Sequence, residues 1–287
     1  MSDVRIGVIG GSGLYAMAGL EVEQERRIPT PWGEPSDAYV IGRLDGRRVA
    51  FLARHGRGHK LLPTELNFRA NVYGFKQLGV EFLISVSAVG SMKKEYAPGH
   101  IVVPDQFFDR TRHRPDTFFG NGLVAHVSLA HPVSAALAGV LHASAKAEQA
   151  PVHMGGTYLN MEGPQFSTRA ESMVYRQWGM DVIGMTNLQE AKLAREAEIC
   201  YSTLAMVTDY DCWHPDHDAV TAQQILAVLG KNAETAKAVL RAAVRRLPIP
   251  RECECASALK YALVTPPDLV PEPVKRELAP IVGRYMR

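Results

Sequence analysis

Short apolar runs alternate with stretches of helical spacing along nearly the whole chain. Runs rich in β-branched and aromatic residues, bounded by glycine or polar turns, predict strands. The predicted strands cover residues 4–9, 39–44, 48–53, 82–87, 101–104, 152–160, 182–185 and 199–207. Asp45-Gly46, between the second and third of these runs, is a strong signal for a hairpin turn.

Apolar residues recur at helical spacing between those strands. Helices are predicted over residues 66–78, 133–147, 169–178, 189–196 and 221–246, with one more short helix near the C-terminus. Because strands and helices alternate throughout, we expect one α/β domain over residues 1–287, with a central mixed, twisted sheet flanked by helices. Residues 247–287 are expected to pack on that domain as a C-terminal extension.

The charge and hydropathy of the chain exclude several classes of partner. The formal net charge is only +2 and there is no long basic run, so nucleic-acid binding has little electrostatic support. No apolar stretch approaches the ~18 residues that a membrane span needs. The N-terminus enters a predicted strand at once, so no signal peptide is expected. We therefore expect a cytoplasmic protein with no nucleic-acid or membrane partner.

The chain has four cysteines, at positions 200, 212, 253 and 255. In a cytoplasmic protein we expect them to be reduced thiols. Cys253-Glu254-Cys255 nevertheless resembles a redox pair, whose disulfide would close a tight and strained loop. Whether that bond forms stays open at this point. The Cys and His spacing fits no zinc site, so no metal is expected.

Three turns at the ends of predicted strands carry residues that suit a small oxyanion. The turn Gly10-Gly11-Ser12-Gly13 would expose backbone N–H groups to an anion. Arg54-His55 and Ser87-Ala88 follow two other strands, and an arginine can bind phosphate bidentately. In an open α/β sheet, ligands bind beyond the carboxyl ends of the strands. The pattern therefore predicts a phosphate site at that edge.

A dinucleotide site is the rival interpretation of the first turn. Gly11, Gly13 and Ala16 fit the Gly-x-Gly-x-x-Ala pattern, which is weak evidence when it stands alone. That motif should open a helix, yet Gly19 and residues 29–33 interrupt the segment, and no strand ends in an acidic residue about 20 positions later. A Walker loop is excluded because no Gly-Lys-Ser/Thr follows.

Asp209 and Asp211 come just past the predicted strand 199–207, so both carboxylates can reach one pocket. A carboxylate accepts hydrogen bonds when ionised and donates one when protonated. The edge of a purine base requires both a donor and an acceptor, because N7 takes a proton as the base leaves and a 6-amino group needs an acceptor. The competing interpretation of this segment alone is a solvated acidic turn.

Several runs together resemble the methylthioadenosine phosphorylase family, within the trimeric class of purine nucleoside phosphorylases. Their order and spacing match that family from about residue 4 to residue 245. The most specific runs are Glu162-Gly-Pro-Gln-Phe-Ser-Thr-Arg-Ala-Glu-Ser172 and Thr208-Asp-Tyr-Asp-Cys-Trp213. The others are Gly7–Leu14, Ala53–His59, Ala88–Ser91, Asp105–Thr111 and Gly184-Met-Thr186.

The resemblance implies a nucleoside phosphorylase fold and an active site in this chain. The residues that it implies for phosphate are Ser12, Arg54, His55, Ser87, the Ala88 backbone and Thr186. Met185 would lie against the ribose and Phe166 would pack on the base. Asp209 would be the catalytic acid, and Asp209 with Asp211 would meet the purine edge. Inorganic phosphate is then a co-substrate, and no metal or organic cofactor is implied.

The resemblance also implies how the substrate is selected and how subunits assemble. Ser167 and Ala222 fall at positions that help to set nucleoside choice, and Ala222 is smaller than is usual there. Phe118 and His126, on the long polar loop 108–125 and just after it, would reach a neighbouring subunit's pocket, which implies a homotrimer. The implied reaction is phosphorolysis of 5′-deoxy-5′-methylthioadenosine in methionine and purine salvage.

Two other functions remain as alternatives. In the family, aspartate at both purine-edge positions goes with 6-aminopurines, whereas 6-oxopurine enzymes carry asparagine at the position of Asp209. A phosphorylase that prefers methylthioinosine or inosine stays the alternative within this fold. A non-catalytic nucleoside-binding protein is the alternative outside it, and it would be expected to lose Arg54, His55 or Asp209.

Overall fold

A single mixed sheet runs through the computed structural model of the chain, which describes residues 4–11, 13–14, 17–215, 222–251 and 253–286, without the side chains of 222–227 and 229. Eleven strands are present among the described residues. They are β1 Ile6–Gly10, β2 Leu20–Arg26, β3 Tyr39–Leu44, β4 Arg47–Ala53, β5 Phe82–Ser91, β6 Ile101–Val103, β7 Gln106–Arg110, β8 Val152–Met154, β9 Thr157–Met161, β10 Val182–Gly184 and β11 Cys200–Asp209.

The centre of the sheet is parallel. Its main path has the order β2-β3-β4-β1-β5-β10-β9-β7, and β11 pairs with β5 and with β6, which also pairs with β8. Strand β1 runs parallel to β4 and β5, and β11 runs parallel to β5 along nearly its whole length. The carboxyl ends of these four strands therefore meet at one edge, which is where ligands bind in such sheets.

Helices cover both faces of the sheet. They are α1 Phe68–Leu78, α2 Ala135–Ala147, α3 Arg169–Gln177, α4 Asn187–Glu196, α5 Ala222–Arg246, α6 Glu272–Glu277 and α7 Ala279–Val282. One core cluster joins α1 and α4 to the sheet, and a second joins α2 and α5 to its other face. Among the described helices, none combines the length and the apolar character needed to cross a bilayer.

The segment after α5 packs into the first of those cores. Leu259, Val270 and Leu278 are buried there with residues of α1 and α4. Residue Leu263 also forms an antiparallel bridge with Ala125. The tail thereby contacts the loop between β7 and α2.

The predicted α/β fold is confirmed, with local differences. Strand β7 includes residues 108–110, which the sequence indicates as the start of the polar loop 108–125. Strand β2 is not predicted from the sequence, because its residues are mostly polar and exposed. It is held in the sheet by backbone pairing with β3. Strand β5 continues to Ser91 because β10 and β11 pair with its last residues. The predicted strand 152–160 is two strands, since Gly155 and Gly156 both take positive φ angles, 86° and 107°.

The expectation of reduced thiols needs correction at two positions. Cys200, the first residue of β11, is disulfide-bonded to Cys253 in the tail. Cys212 and Cys255 are free thiols. The pair that forms is thus not Cys253 with Cys255, because the sheet brings a third cysteine to the same place.

Candidate active site

Four strand ends bring the predicted turns together. In the parallel register, Gly10 lies beside Ala53, and Asp209 lies beside Gly90. A Cβ at Gly90 would lie 3.0 Å from Asp209 Oδ1 and 3.4 Å from the Asp211 Cβ. The absence of a side chain at Gly90 therefore leaves room for both carboxylates against the sheet.

Arg54 is held differently from the sequence-based expectation. It is 3% exposed, and its Nε and Nη2 donate to Glu190 Oε1 and Oε2 at 2.5 and 3.1 Å. Nη1 donates to the Val86 carbonyl at 2.9 Å and Nη2 to Ser85 Oγ at 2.5 Å. The bidentate face of the guanidinium therefore binds a carboxylate of the same chain, so a bidentate phosphate contact by Arg54 is not available.

Glu190 is the centre of a buried polar network. Its side chain is fully buried, and Oε2 also accepts a hydrogen bond from the Tyr201 hydroxyl at 2.9 Å. Ser85 Oγ, which accepts from Arg54, also accepts from Asn187 Nδ2 at 3.1 Å. Burial opposes the charge of Arg54, but the Glu190 carboxylate keeps the pKa of Arg54 above its usual value. The network fixes the start of α4 relative to β5 and β11.

His55 is neutral near pH 7. Burial, together with the positive charge of Arg54, lowers the pKa of His55 to about 4, although the hydrogen bond with the Leu61 carbonyl acts the other way. Its ring stacks on His59 with centroids 4.3 Å apart. Nδ1 lies 2.8 Å from the Leu61 oxygen, and a carbonyl only accepts, so Nδ1 carries the proton. Nε2 is then a hydrogen-bond acceptor.

The remaining phosphate candidates cluster at β5 and α4. Ser87 Oγ is buried and makes no hydrogen bond to the described residues. The Tyr158 hydroxyl lies near this oxygen. Thr186 is 5% exposed and is the residue before α4, so the first N–H groups of that helix point toward the same edge. Ala88 is half-buried beside Met206 of β11. Ser12, the sixth candidate, lies outside the described residues.

Asp209 is half-buried and Asp211 is buried, and a hydrogen bond from the Asp211 backbone joins them. Asp209 Oδ1 accepts from the Asp211 N–H at 2.7 Å, and Oδ2 accepts from the Thr208 hydroxyl at 2.6 Å. Burial raises the pKa of Asp209 more than these bonds lower it, and the charge of Asp211 raises it further. Burial likewise raises the pKa of Asp211, against hydrogen bonds from Ser172 and Cys212.

The nucleoside candidates lie around these carboxylates. The Ser167 carbonyl accepts a hydrogen bond from Cys212 Sγ at 3.4 Å, so Ser167 is next to the Asp211–Cys212 turn. Met185 is half-buried, and its Sδ would be 2.5 Å from a Cβ placed on Gly163. Phe166 is 49% exposed. Ala222 is the first residue of α5, and its side chain is not described.

The loop between β7 and α2 behaves differently from the expectation at one position. Phe118 is 5% exposed and packs on Trp32 and Tyr73, with ring centroids 5.1 and 6.3 Å away. The expectation that Phe118 extends to a neighbouring subunit is therefore corrected: its own chain buries it. His126 is exposed, with its backbone N–H bonded to the Ala262 carbonyl at 2.8 Å.

Arg114 anchors that loop beneath the nucleoside candidates. It is 8% exposed, its Nη1 donates to the Met185 carbonyl at 2.5 Å, and its Nε donates to Glu162 Oε1 at 3.1 Å. Sequence reasoning missed Arg114, Glu190 and Asn187 as positioning residues. Charged or amide residues within otherwise buried elements were a signal for Glu190 and Asn187, whereas nothing local marked Arg114.

Comparisons with known proteins identify the family of this chain. A family model described as the phosphorylase superfamily matches residues 5–245. A curated relative from Koribacter versatilis, named S-methyl-5′-thioadenosine phosphorylase, is 65% identical over 282 residues, covering 98% of this chain and 96% of that protein. The chain belongs to the methylthioadenosine phosphorylase family. A second family member, from Gloeobacter violaceus, is 60% identical over 286 residues, again covering 98% of this chain and 96% of that protein.

Solved structures of the family have the same fold. A methylthioadenosine phosphorylase from an antarctic soil metagenomic library superposes with a TM-score of 0.94 at 48% identity, covering 98% of this chain and 99% of that one. A methylthioadenosine phosphorylase from Schistosoma mansoni in complex with adenine superposes with a TM-score of 0.81 at 33% identity, covering 84% and 91%. The family relationship thus extends through the tail that follows α5.

The buried ion pair yields a test of what holds the site. Glu190→Ala leaves the Arg54 guanidinium buried without a counter-charge, which should cost about 3–5 kcal/mol of unfolding free energy. The matched control is Glu272→Ala, since Glu272 forms an exposed pair with Lys275 and should leave stability unchanged. Urea unfolding of both variants measures the difference. Equal midpoints for Glu190→Ala and the parent protein would show that the pair does not hold the fold.

Glu196 should make stability depend on pH. It accepts hydrogen bonds from Thr117 Oγ1 and the Phe118 N–H, both at 2.7 Å, and burial raises its pKa from 4.5 to about 7. The folded protein therefore binds the proton more tightly than the unfolded chain. Stability should fall as pH rises from about 4.5 through 7, by up to about 3 kcal/mol from this group.

The matched variant for that pH dependence is Glu196→Gln, which keeps an acceptor for the Phe118 N–H and cannot ionise. Unfolding free energies at pH 5 and pH 8 should differ less for Glu196→Gln than for the parent protein. The same difference in both proteins would assign the pH dependence to other groups.

Proposed function

We propose that this chain catalyses the phosphorolysis of 5′-deoxy-5′-methylthioadenosine to adenine and 5-methylthioribose 1-phosphate, in methionine and purine salvage. The observation that carries the proposal is the pair of adjacent carboxyl groups, half-buried Asp209 and buried Asp211, whose raised pKa values suit proton donation. They lie at the strand edge that also holds Ser87 and Thr186. The family relationship supports the same reaction.

The chemistry follows from where the charge develops. Phosphate attacks the sugar C1′ while the purine leaves, through a transition state that resembles an oxocarbenium ion. Electrons build up at N7 of the leaving purine, and a protonated Asp209 donates a proton there. The Asp211 N–H, bonded to Asp209 Oδ1, orients that carboxyl group. A positioned general acid contributes roughly 10²–10⁴-fold to the rate.

The phosphate subsite would combine hydroxyls, helix N–H groups and one acceptor. Ser87 Oγ and Thr186 Oγ1 can donate to phosphate oxygens, with the Ala88 backbone and the N-terminus of α4 beside them. His55 Nε2 accepts, so it favours the protonated oxygen of a monohydrogen phosphate. Arg54 contributes positive potential from behind the site and keeps α4 in place. Ser12 belongs to the proposed set on the family resemblance.

The carboxylates also favour adenine over 6-oxopurines. A 6-amino group can donate a hydrogen bond to the carboxyl oxygens of Asp209 or Asp211. A 6-oxo group is itself an acceptor, so it would face these oxygens without a hydrogen bond unless one of the carboxyl groups carried a proton toward it. Met185, Phe166 and Ser167 are proposed to complete the nucleoside pocket, and Ala222 to line the space for the 5′ substituent. We expect no metal or organic cofactor, because the bound phosphate is itself the nucleophile.

Exposed apolar side chains indicate where subunits would meet. Phe166, Met173 and Trp178 are 49, 40 and 52% exposed, and Phe108 packs on Trp178 with ring centroids 5.7 Å apart. Large exposed apolar side chains that lie close together, as Phe108 and Trp178 do, are typical of a protein interface. We propose that copies of this chain cover it in a homotrimer, with His126 near the shared pocket, and that the enzyme acts in the cytoplasm.

The substrate assignment is tested by base release. Methylthioadenosine should be cleaved only when phosphate is present, and at least about tenfold better than methylthioinosine or inosine, because two carboxylates face the 6-position. Asp209→Asn should lower kcat for methylthioadenosine by about 10²–10⁴-fold. The matched control is Asp268→Asn, an exposed tail residue that should leave kcat unchanged.

Two results would contradict the assignment in different ways. Adenine release at an equal rate without phosphate would identify a nucleoside hydrolase. A tenfold preference for a 6-oxopurine nucleoside, with phosphate still required, would move the base assignment to the alternative substrates while leaving the phosphorylase reaction intact.

The proposed interface is tested by a charge substitution. Trp178→Lys should raise the protein concentration at which the assembly dissociates, because it places a charge in an apolar contact surface. Val22→Lys is the matched control, since Val22 is 55% exposed on the far strand β2. Native mass and specific activity across a dilution series report both effects. A fully active monomer would refute the shared-pocket part.

A further inference from the structure

Three cysteine sulfurs meet at the edge of the sheet opposite the candidate active site. The Sγ atoms of Cys200, Cys253 and Cys255 all lie within 4.8 Å of one another. Cys200 is the first residue of β11 and is paired in register with Phe82, the first residue of β5. The other end of β11 is Asp209, so Cys200 and this candidate active-site carboxyl group lie nine residues apart along one strand.

We propose that Cys200, Cys253 and Cys255 form a thiol–disulfide exchange centre that reversibly links the C-terminal segment to the sheet. Cys253 is bonded to Cys200 in the structure, and Cys255 is the free third thiol. The tail contributes two of the three sulfurs. A bond to Cys200 therefore ties the tail to β11, whereas a bond between Cys253 and Cys255 leaves the tail without a covalent tie.

The chemistry needs one oxidant, a low-molecular-weight disulfide. A cysteine thiolate attacks one sulfur of that disulfide, forming a mixed disulfide and expelling one thiolate. A second cysteine thiolate attacks the mixed disulfide and expels the second, so two thiols are oxidised and one small disulfide is reduced. From then on exchange is internal, since Cys255 thiolate attacks Cys253 Sγ and releases Cys200 thiolate, with no further oxidant.

The surroundings suit such exchange. Cys253 is half-buried, so a small disulfide can reach it, while Cys200 and Cys255 are buried. The Arg251 guanidinium lies near Cys255. The thiolate is the form of a cysteine that attacks a disulfide.

The linked segment also leads to the active-site loop. Leu259 N donates to Glu198 Oε1 at 3.0 Å, and the Tyr285 hydroxyl donates to the same oxygen at 2.7 Å. Glu198 lies two residues before Cys200, so the tail is held at the cluster by hydrogen bonds as well as by sulfur. A few residues later Val264 N donates to the Val124 carbonyl at 2.9 Å.

That contact connects the cysteines to the loop that carries Phe118 and His126. His126 N donates to the Ala262 carbonyl at 2.8 Å, and Val124 N donates to Thr265 Oγ1 at 2.9 Å. The Cys200–Cys253 bond closes a loop of 53 residues and so restricts the freedom of the tail when it detaches. The redox state should thus set how firmly the tail and this loop are held.

The proposal is tested by mapping disulfides in the full-length protein. The protein is equilibrated in reduced and oxidised glutathione, quenched at intervals by acid and alkylation, and digested without reduction. We expect the links Cys200–Cys253 and Cys253–Cys255 together, in a ratio that becomes constant with time, while Cys212 stays alkylated throughout. Cys255→Ser should give only the first link, and Cys200→Ser only the second.

Hydrogen exchange provides the second measurement. Amides of residues 256–286 and 123–126 should exchange at least about tenfold more slowly in the Cys200-linked protein than in the reduced protein. The Cys200→Ser protein, oxidised in the same buffer, should match the reduced parent. Neither readout uses enzyme activity, so both stand whether or not the substrate assignment holds.

Three results would overturn the proposal. One is a single invariant disulfide in the parent protein, which would make the cluster a static crosslink. Another is equal hydrogen exchange in the linked and reduced forms, which would remove the effect on the tail. The third is one equivalent of a thiophilic metal in the purified reduced protein, which would make the cluster a metal site.

Discussion

The buried pair of Arg54 and Glu190 is the interaction on which the arrangement of the site depends. Taking two charges out of water costs several kcal/mol per ion, and their attraction offsets this only when the remaining donors and acceptors are satisfied. Here Ser85, Tyr201 and the Val86 carbonyl satisfy them. The pair joins the end of β4 to β5, β11 and α4, so its main effect is to specify one relative position of these elements.

Much of the fold could be predicted from local pattern, and the reasons are visible at particular elements. The β3–β4 hairpin follows from Asp45-Gly46, whose φ angles of 49° and 78° suit the two-residue turn. Strands β5 and β11 are buried along nearly their whole length and consist mostly of apolar or small residues, which is typical of parallel central strands. Strand β2 could not be found in this way, because backbone pairing with β3 rather than a buried face holds it.

Some contacts in the candidate site can be predicted from the spacing of residues in the sequence, whereas others depend on the fold. The paired carboxylates at 209 and 211 are close in sequence, so their proximity could be inferred. The partner of Arg54 lies 136 residues away, and the choice between a phosphate and Glu190 cannot be read from either segment. The same limit explains Phe118, since its burial depends on Trp32 and Tyr73 from two distant elements.

Burial sets the protonation states at the active-site edge, and it does so in opposite directions for acids and bases. The same loss of water raises the pKa of Asp209 and lowers that of His55, so both groups tend toward neutrality. A neutral carboxyl group can donate a proton to a leaving purine, and a neutral imidazole with Nδ1 bonded to a carbonyl can only accept at Nε2. In the proposed site, a phosphate beside this imidazole would therefore have to bring its own proton, which would link the protonation state of the nucleophile to the geometry of His55.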